Sequence, residues 1–183
     1  AQSGDALAGD AQVALGSVLY QTGQHAAAVE RLQPLLNAPV KTTASAQAAY
    51  WLVKIQIAQQ RHREAAATAE EAIEFHPDGE WLPHLHFVAG DAWRLAGDRP
   101  AAMTNYRHVW EEWPGSEWAD DALYNHVKLA FEVRDYDLVD QLAVAFEREH
   151  AASSHWRLVG LLHCRALLAE KRYEEAEVAC EEL

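Results

Sequence analysis

The sequence predicts an all-α protein, a solenoid of about five helical hairpins that repeat every 37 residues. The chain is rich in Ala, Leu, Glu and Gln, which favour helices. Tight two-residue turns between alternating runs, the sign of β-hairpins, are missing, because the residues around Asp78-Gly79 do not alternate. Instead, short polar turns precede Ala-rich segments at constant spacing, which is typical of a helical repeat.

The period can be measured from the turns, whose third residues are 37 positions apart. These residues are His25, His62, Arg99, Tyr136 and Tyr173. A small residue follows each of them three positions later: Ala28, Ala65, Ala102, Val139 and Ala176. The next inward column is Leu32, Ala69, Tyr106, Ala143 and Cys180, and the matching column before the turns is Gly16, Val53, Gly90, Val127 and Cys164. Small residues let two helices approach closely, so we expect these columns to lie where helices pack.

Each period reads as two helices, and the third period is the clearest. Its first helix is predicted from about Trp81 to Leu95 and its second from about Arg99 to Glu112, with the turn at Ala96-Gly97-Asp98. Pro100 suits the first turn of the second helix. Prolines then mark the junctions between periods, because proline cannot continue a helix. These junction prolines are Pro39, Pro77 and Pro114.

We expect one solenoid domain over residues 1–183. Its predicted repeats are about 9–45, 46–82, 83–119, 120–156 and 157–183, the last truncated. The chain begins with Ala1 rather than Met and breaks off at Leu183 without a polar capping helix. We therefore expect a fragment of a longer protein, or a last helix that packs on a neighbour and could mediate homo-oligomerisation.

The repeat resembles the tetratricopeptide repeat. The third copy supplies the family's pattern with Ala89-Gly90, Trp93, Ala102, Tyr106 and Pro114, and the first copy with Leu15-Gly16, Gly23, Ala28 and Leu32. The period is three residues longer than the usual 34. Copies four and five lack the Gly and the Pro. The resemblance implies a right-handed superhelix in which the first helices line a concave groove that holds a peptide or a partner domain.

Ten residues on the first helices are candidates for partner binding in that groove. They are Tyr50, Lys54, Ile57, Phe87, Asp91, Arg94, Tyr124, Lys128, Phe131 and Arg165. Aromatic and Arg side chains are frequent anchors of interfaces. The basic ones are expected to meet acidic groups or a C-terminal carboxylate on a protein or peptide segment. The alternative is that the aromatics are half-buried packing residues and the lysines belong to a solvated face.

Charge and motifs exclude several other functions. The formal charge is −13, with 15 basic and 28 acidic residues, which disfavours nucleic-acid binding. No apolar run approaches the ~18 residues of a membrane span, so no membrane insertion is expected. The sequence has no Gly-rich phosphate loop, no Gly-x-Ser-x-Gly elbow and no His-Glu-x-x-His pair. We expect no enzymatic activity, no cofactor and no metal.

The sequence leaves three questions open. The stretch from Pro114 to Tyr124 is similar to repeat junctions in bacterial cell-envelope tetratricopeptide proteins, which favours a periplasmic over a cytoplasmic scaffold in envelope assembly. The alternative function is a self-assembly module of a larger multidomain protein. Cys164 and Cys180 fall on inward columns of one hairpin, which predicts two buried thiols or a disulfide.

Overall fold

The computed structural model describes residues 2–76, 79–181 and 183, with side chains from residue 8 onward. These residues form ten α-helices and no strand. The helices are α1 Gln2–Gln21, α2 His25–Leu36, α3 Thr43–Ala58, α4 His62–Phe75, α5 Leu82–Ala96, α6 Arg99–Glu112, α7 Ala119–Glu132, α8 Tyr136–His150, α9 Trp156–Ala169 and α10 Tyr173–Glu181. The all-α, helical-repeat fold class is confirmed. Over the described residues, no helix combines the length and the apolar character that crossing a membrane requires.

The chain divides into two compact units, an N-terminal unit, Ala1–Asp98, and a C-terminal unit, Arg99–Leu183. The single solenoid domain over residues 1–183 therefore stays a prediction. In the N-terminal unit, α1 packs on α2 and α3, and α3 packs on α2, α4 and α5, while α5 also lies against α4. The helices α1, α3 and α5 are thus neighbours in one row. In the C-terminal unit, α7 packs on α6, α8 and α9, and α10 lies against α9.

A left-handed residue closes the turn after every odd-numbered helix. These residues have φ between 62° and 87° and lie 37 positions apart: Gly23, Gln60, Gly97, Arg134 and Lys171. At the first turn, the N–H of Gly23 donates to the carbonyl of Tyr20, and that of Gln24 donates to the carbonyl of Leu19. The other four turns repeat this pair of hydrogen bonds, which satisfies the last helical carbonyls. Every even-numbered helix begins two residues later, at His25, His62, Arg99, Tyr136 or Tyr173.

The predicted inward columns are buried, with the exception of Cys180. The small residues Ala28, Ala65, Ala102 and Val139 have no exposed surface, and Ala176 is 2% exposed. The predicted helices of the third period also match, because α5 and α6 end within one residue of the predicted positions. Pro39 and Pro114 follow α2 and α6 at the junctions. Pro77 lies outside the described residues.

The prediction of two buried thiols was wrong for one of them. Cys164 is 2% exposed, but Cys180 is exposed, and both are free thiols. The equivalent residues Leu32 and Ala69 are fully buried, because α3 packs on α2 and α5 packs on α4. Among the described helices, α10 has α9 as its main neighbour, so its outer side stays open to solvent.

Candidate binding surface

The N-terminal unit carries a continuous cluster of rings along its row of first helices. Tyr20 lies in the last turn of α1, Tyr50 and Trp51 lie on α3, and Trp81 and His84 lie at the start of α5. The ring centroids are 5.5 Å apart for Tyr20 and Trp51, 5.2 Å for Tyr50 and Trp51, and 5.6 Å for Tyr50 and Trp81. The cluster ends with His84 stacked on Trp81 at 4.2 Å. We call these five residues the aromatic cluster.

Lys54 lies over the aromatic cluster. Its Nζ is 5.4 to 5.8 Å from the ring centroids of Tyr20, Tyr50 and Trp51, and it donates a hydrogen bond of 3.5 Å to the Tyr50 Oη. A cation over aromatic faces is stabilised by the ring quadrupoles, by about 0.5–2 kcal/mol. In the described part of the chain, no carboxylate lies within ion-pair distance of Lys54. The half-buried ammonium group therefore has aromatic neighbours but no counter-charge from the protein.

The remaining candidates of the N-terminal unit take structural positions. Tyr50 is 6% exposed and Phe87 is 9% exposed, so each ring offers little surface to a partner. Ile57 is partly buried against the core of the unit. Arg94 forms an ion pair of 3.2 Å with Asp91, one helical turn away on α5. Among these candidates, Lys54 is the residue with the most direct capacity to meet an acidic ligand.

In the C-terminal unit, Tyr124 belongs to a polar junction between α7 and α9. Its ring stacks on His155 with centroids 4.5 Å apart and an interplanar angle of 3°. His155 Nε2 lies 2.6 Å from Asp121 Oδ1, and Ser153 Oγ donates to Asp120 Oδ2 at 2.7 Å. These contacts join the first turn of α7 to the segment that precedes α9. Sequence reasoning missed them, because residues more than 30 positions apart give no local signal.

The other three candidates lie further along α7 and α9. The guanidinium carbon of Arg165 is 4.8 Å from the centroid of the Phe131 ring. Lys128 is half-buried, and in the described residues no carboxylate is within ion-pair distance of it. Leu161 and Leu168, each 50% exposed, flank Arg165 on α9. The ten predicted residues thus form two groups, six on α3 and α5 and four on α7 and α9.

A buried histidine was also missed. His126 on α7 is 4% exposed, and its Nδ1 accepts a hydrogen bond of 3.2 Å from Trp110 Nε1. Burial, together with the nearby Arg107, lowers the pKa of His126 to about 4. The imidazole is neutral at physiological pH and serves packing rather than binding. Within the described residues, no three His, Cys, Asp or Glu side chains gather as metal ligands would.

No protein-family model matches the sequence, and no curated protein matches it in sequence. In fold, the chain is similar to a tetratricopeptide repeat protein from Parabacteroides merdae ATCC 43184, with a TM-score of 0.73 and 17% identity. The match covers 94% of this chain and 64% of that structure, so the chain spans less than two thirds of its length.

Two further solved structures are similar. BtubC (BKLC) from P. vanneervenii gives a TM-score of 0.72 and 12% identity, over 92% of this chain and 75% of that one. The TPR-like repeats of a putative kinesin light chain from Podosopora anserina give 0.67 and 14%, over 94% and 91%. At these identities the likeness is one of fold. The chain therefore has the fold of the tetratricopeptide-like helical repeats.

Proposed function

We propose that the chain is a non-catalytic scaffold that binds a protein or peptide segment on the exposed face of its first helices. The observation that carries the proposal is Lys54, a cation held over three aromatic rings with no counter-charge in the described residues. The chain has a formal charge of −13, so acidic side chains are plentiful, yet among the described residues none lies within ion-pair distance of this ammonium group. A carboxylate of a partner would complete the site.

The arrangement suits an extended segment better than a compact small molecule. The row of α1, α3 and α5 places Tyr20, Lys54 and His84 on three successive helices. Packed helices are about 8–10 Å apart, and an extended chain advances about 3.3 Å per residue. Side chains two or three residues apart on a bound segment would therefore meet successive helices. An acidic side chain or a C-terminal carboxylate would lie at Lys54, with apolar side chains against the aromatic rings.

The test is a selection from a phage-displayed random peptide library with free carboxyl ends, followed by titration of the enriched peptides. We expect enriched peptides to contain Asp, Glu or a required terminal carboxylate. The variant Lys54→Glu should lose at least about tenfold in affinity, because a charge-assisted hydrogen bond contributes about 1.5–3 kcal/mol. The matched control is Lys41→Glu, which changes an exposed lysine that lies 3.6 Å over Phe75 in the same unit. Equal affinity of Lys54→Glu and wild type would contradict the proposed site.

A role in bacterial envelope assembly, in the periplasm, is the proposed cellular setting. It rests on the similarity of the stretch from Pro114 to Tyr124 to junctions in envelope repeat proteins. The test is fractionation of the source organism into periplasm and cytoplasm, with an antibody against the chain. Recovery with periplasmic markers is expected. Recovery with cytoplasmic markers would contradict this setting and leave the binding site proposal unaffected.

Self-assembly is the second candidate function, and the exposed apolar side chains of α9 favour it. Leu158 is 46% exposed, and Leu161 and Leu168 are each 50% exposed. The side chain of Leu183 packs on α9 at Gly160, where an added Cβ would lie 2.2 Å from the Leu183 Cδ2. Light scattering should report a dimer that Leu161→Glu dissociates and that Val144→Glu, at an exposed position on α8, does not. A monomer at all concentrations would exclude this function.

A further inference from the structure

Cys164 and Cys180 belong to one pair of helices in the C-terminal unit. Cys164 lies on α9 and is buried, whereas Cys180 lies on α10 and is exposed. The Lys171 turn joins the two helices, and α10 has α9 as its main neighbour. One thiol is therefore shielded within the hairpin, and the other is open to solvent.

The repeat register indicates that the two side chains face each other. Cys164 lies seven positions before the left-handed residue of its turn, and Cys180 lies nine positions after it. In the first hairpin, Gly16 and Leu32 hold these positions around Gly23. There, a Cβ added to Gly16 would lie 2.5 Å from Leu32 Cδ2. The two helices approach each other closely at this pair of positions.

Two other hairpins support this register. In the second hairpin the equivalent residues are Val53 and Ala69, and both are fully buried in one hydrophobic cluster. In the fourth they are Val127 and Ala143, again within one cluster. In each of these hairpins, both positions of the pair are therefore buried in the core that the two helices share. The last hairpin has the same turn, with the same hydrogen bonds, so Cys164 and Cys180 are expected on the facing sides of its two helices.

We propose that Cys164 and Cys180 form a redox-sensitive disulfide that fastens α10 to α9 under oxidising conditions. The oxidant is a small-molecule disulfide of the glutathione class. The exposed Cys180 gives its proton to water, and its thiolate attacks the oxidant. One glutathione thiolate leaves, and a mixed disulfide remains on Cys180. The Cys164 sulfur then loses its proton and attacks Cys180 Sγ, and the second glutathione thiolate leaves. Two cysteine thiols are oxidised and one glutathione disulfide is reduced to two thiols.

The chemistry of Cys164 makes this a slow, structural bond rather than a catalytic one. Burial raises the pKa of the Cys164 thiol to about 12, and the neighbouring Cys180 thiol adds to this effect. The thiolate is the attacking species, so the closing step is slow at neutral pH. α10 has the most to gain from the bond, since Ala176 is its one buried residue in the described set. A helix with so few buried contacts opens more readily than the core.

The test uses the 183-residue chain in glutathione buffers of graded oxidised-to-reduced ratio. Intact mass should fall by two hydrogen atoms in the monomer, and peptide mapping should join the fragments that contain Cys164 and Cys180. Hydrogen exchange of the α10 amides should slow by about a hundredfold on oxidation. The bond closes the loop from Cys164 to Cys180 and so removes disordered conformations from the opened state. Exchange in α7 should be unchanged.

The matched control moves the exposed thiol to the opposite side of α10. In the double variant Cys180→Ser with Val178→Cys, the new thiol is about 200° away around the helix, since each residue turns about 100°. Val178 is 58% exposed, so this variant should fold. It should form mixed disulfides with glutathione but no internal bond. The proposal is overturned if wild type yields only mixed disulfides or intermolecular dimers, or if the control closes an internal bond as readily.

Discussion

Trp110 donates a hydrogen bond from its indole Nε1 to the Nδ1 of His126, over 3.2 Å, within the C-terminal unit. The bond requires an imidazole that is unprotonated at Nδ1, because only a nitrogen with a free lone pair accepts. His126 is 4% exposed, so protonation would also place a charge in an apolar surrounding. The pair links the end of α6 to the middle of α7, and its integrity depends on pH.

We predict that acid destabilises the C-terminal unit through His126. The pKa of this group is about 4 in the folded chain and near 6.5 when unfolded. Above about pH 6.5, both states are neutral and the group has no effect. As the pH falls from about 6.5 to about 4, the unfolded chain binds the proton first, and stability falls by up to about 3 kcal/mol. Below about pH 4 the loss from this group is constant.

The measurement is urea unfolding at pH 7.5 and pH 4.5, followed by tryptophan fluorescence. The matched variant is His126→Gln, whose side-chain oxygen can still accept from Trp110 but does not titrate. Carboxylates titrate in both proteins. The free energy of unfolding that wild type loses between pH 7.5 and pH 4.5, minus the loss of the variant, therefore isolates the contribution of His126. The wild type should lose more stability than the variant. Equal losses in the two proteins would show that protonation of His126 does not destabilise the folded state.

A second prediction concerns the left-handed turn residues that are not glycine. An L-residue in this conformation is strained by about 1–2 kcal/mol, and glycine is not. A change to glycine relieves this strain and stabilises the folded chain. Part of the stabilisation is offset, because glycine also has more conformational freedom in the unfolded chain. Gln60→Gly, Arg134→Gly and Lys171→Gly should each raise the free energy of unfolding by about 0.5–1 kcal/mol.

The reverse change provides the control. A Cβ added at Gly23 or Gly97 would meet nothing within 4 Å, so Gly→Ala there introduces backbone strain without a clash. Each of these variants should lose about 1 kcal/mol. Chemical denaturation of Gln60→Gly against Gly23→Ala compares the two directions within the N-terminal unit. A loss of stability in Gln60→Gly would mean that the Gln60 side chain makes a compensating contact.

The junction between α7 and α9 gives a third prediction. His155 stacks on Tyr124 and contacts Asp121, so its two roles can be separated. His155→Phe keeps a ring on Tyr124 and loses the polar contact, which should cost about 0.5–1.5 kcal/mol. His155→Ala loses both, and aromatic pairs add about 0.5–1.5 kcal/mol beyond burial, so it should cost about 1–3 kcal/mol. Equal losses in the two variants, measured by thermal denaturation, would show that the stacking contributes nothing.

The sequence was informative about the repeat and less so about its faces. Turn positions could be predicted even where Arg134 and Lys171 replace glycine, because the columns on both sides kept their spacing. The degree of burial of a residue on a first helix could not be predicted. Tyr50 and Phe87 share a column with Tyr124 and with Leu161, yet exposure ranges from 6% at Tyr50 to 50% at Leu161. Spacing gives the direction of a side chain around its helix, whereas burial depends on which neighbour covers it.

The same limit explains the candidate site. Lys54 was found from its spacing, and Tyr50 and Trp51 lie within its own helix, α3, at separations that spacing could predict. Tyr20, however, comes from α1, which lies beside α3 only in the folded unit. The ion pair of Arg94 with Asp91 lies within one helix, at a separation of three residues, so it could have been predicted. Cys180 was assigned to the interior because its column is inward elsewhere. Its exposure follows from the limited set of helices that pack on α10.

The final prediction tests whether the columns are interchangeable. Gly16 packs on Leu32 so closely that a Cβ would lie 2.5 Å from the Leu32 Cδ2. At the equivalent positions of the second hairpin the sizes are reversed: the larger residue, Val53, is on the first helix and the smaller one, Ala69, is on the second. Gly16→Val alone should overpack this contact and cost about 1–3 kcal/mol. Leu32→Ala alone should leave a cavity and cost about 2–5 kcal/mol, since Leu32 is fully buried.

The double variant Gly16→Val with Leu32→Ala copies the pair of the second hairpin into the first. The added methyl groups then occupy part of the space that the leucine vacates, so the two changes should be strongly non-additive. We expect the double variant to be more stable than Leu32→Ala alone and to lose clearly less than the two single losses together. A double-mutant cycle by urea unfolding measures the coupling. Additive losses would mean that the two hairpins differ in helix separation at this position, and that the 37-residue columns share a direction but not a packing geometry.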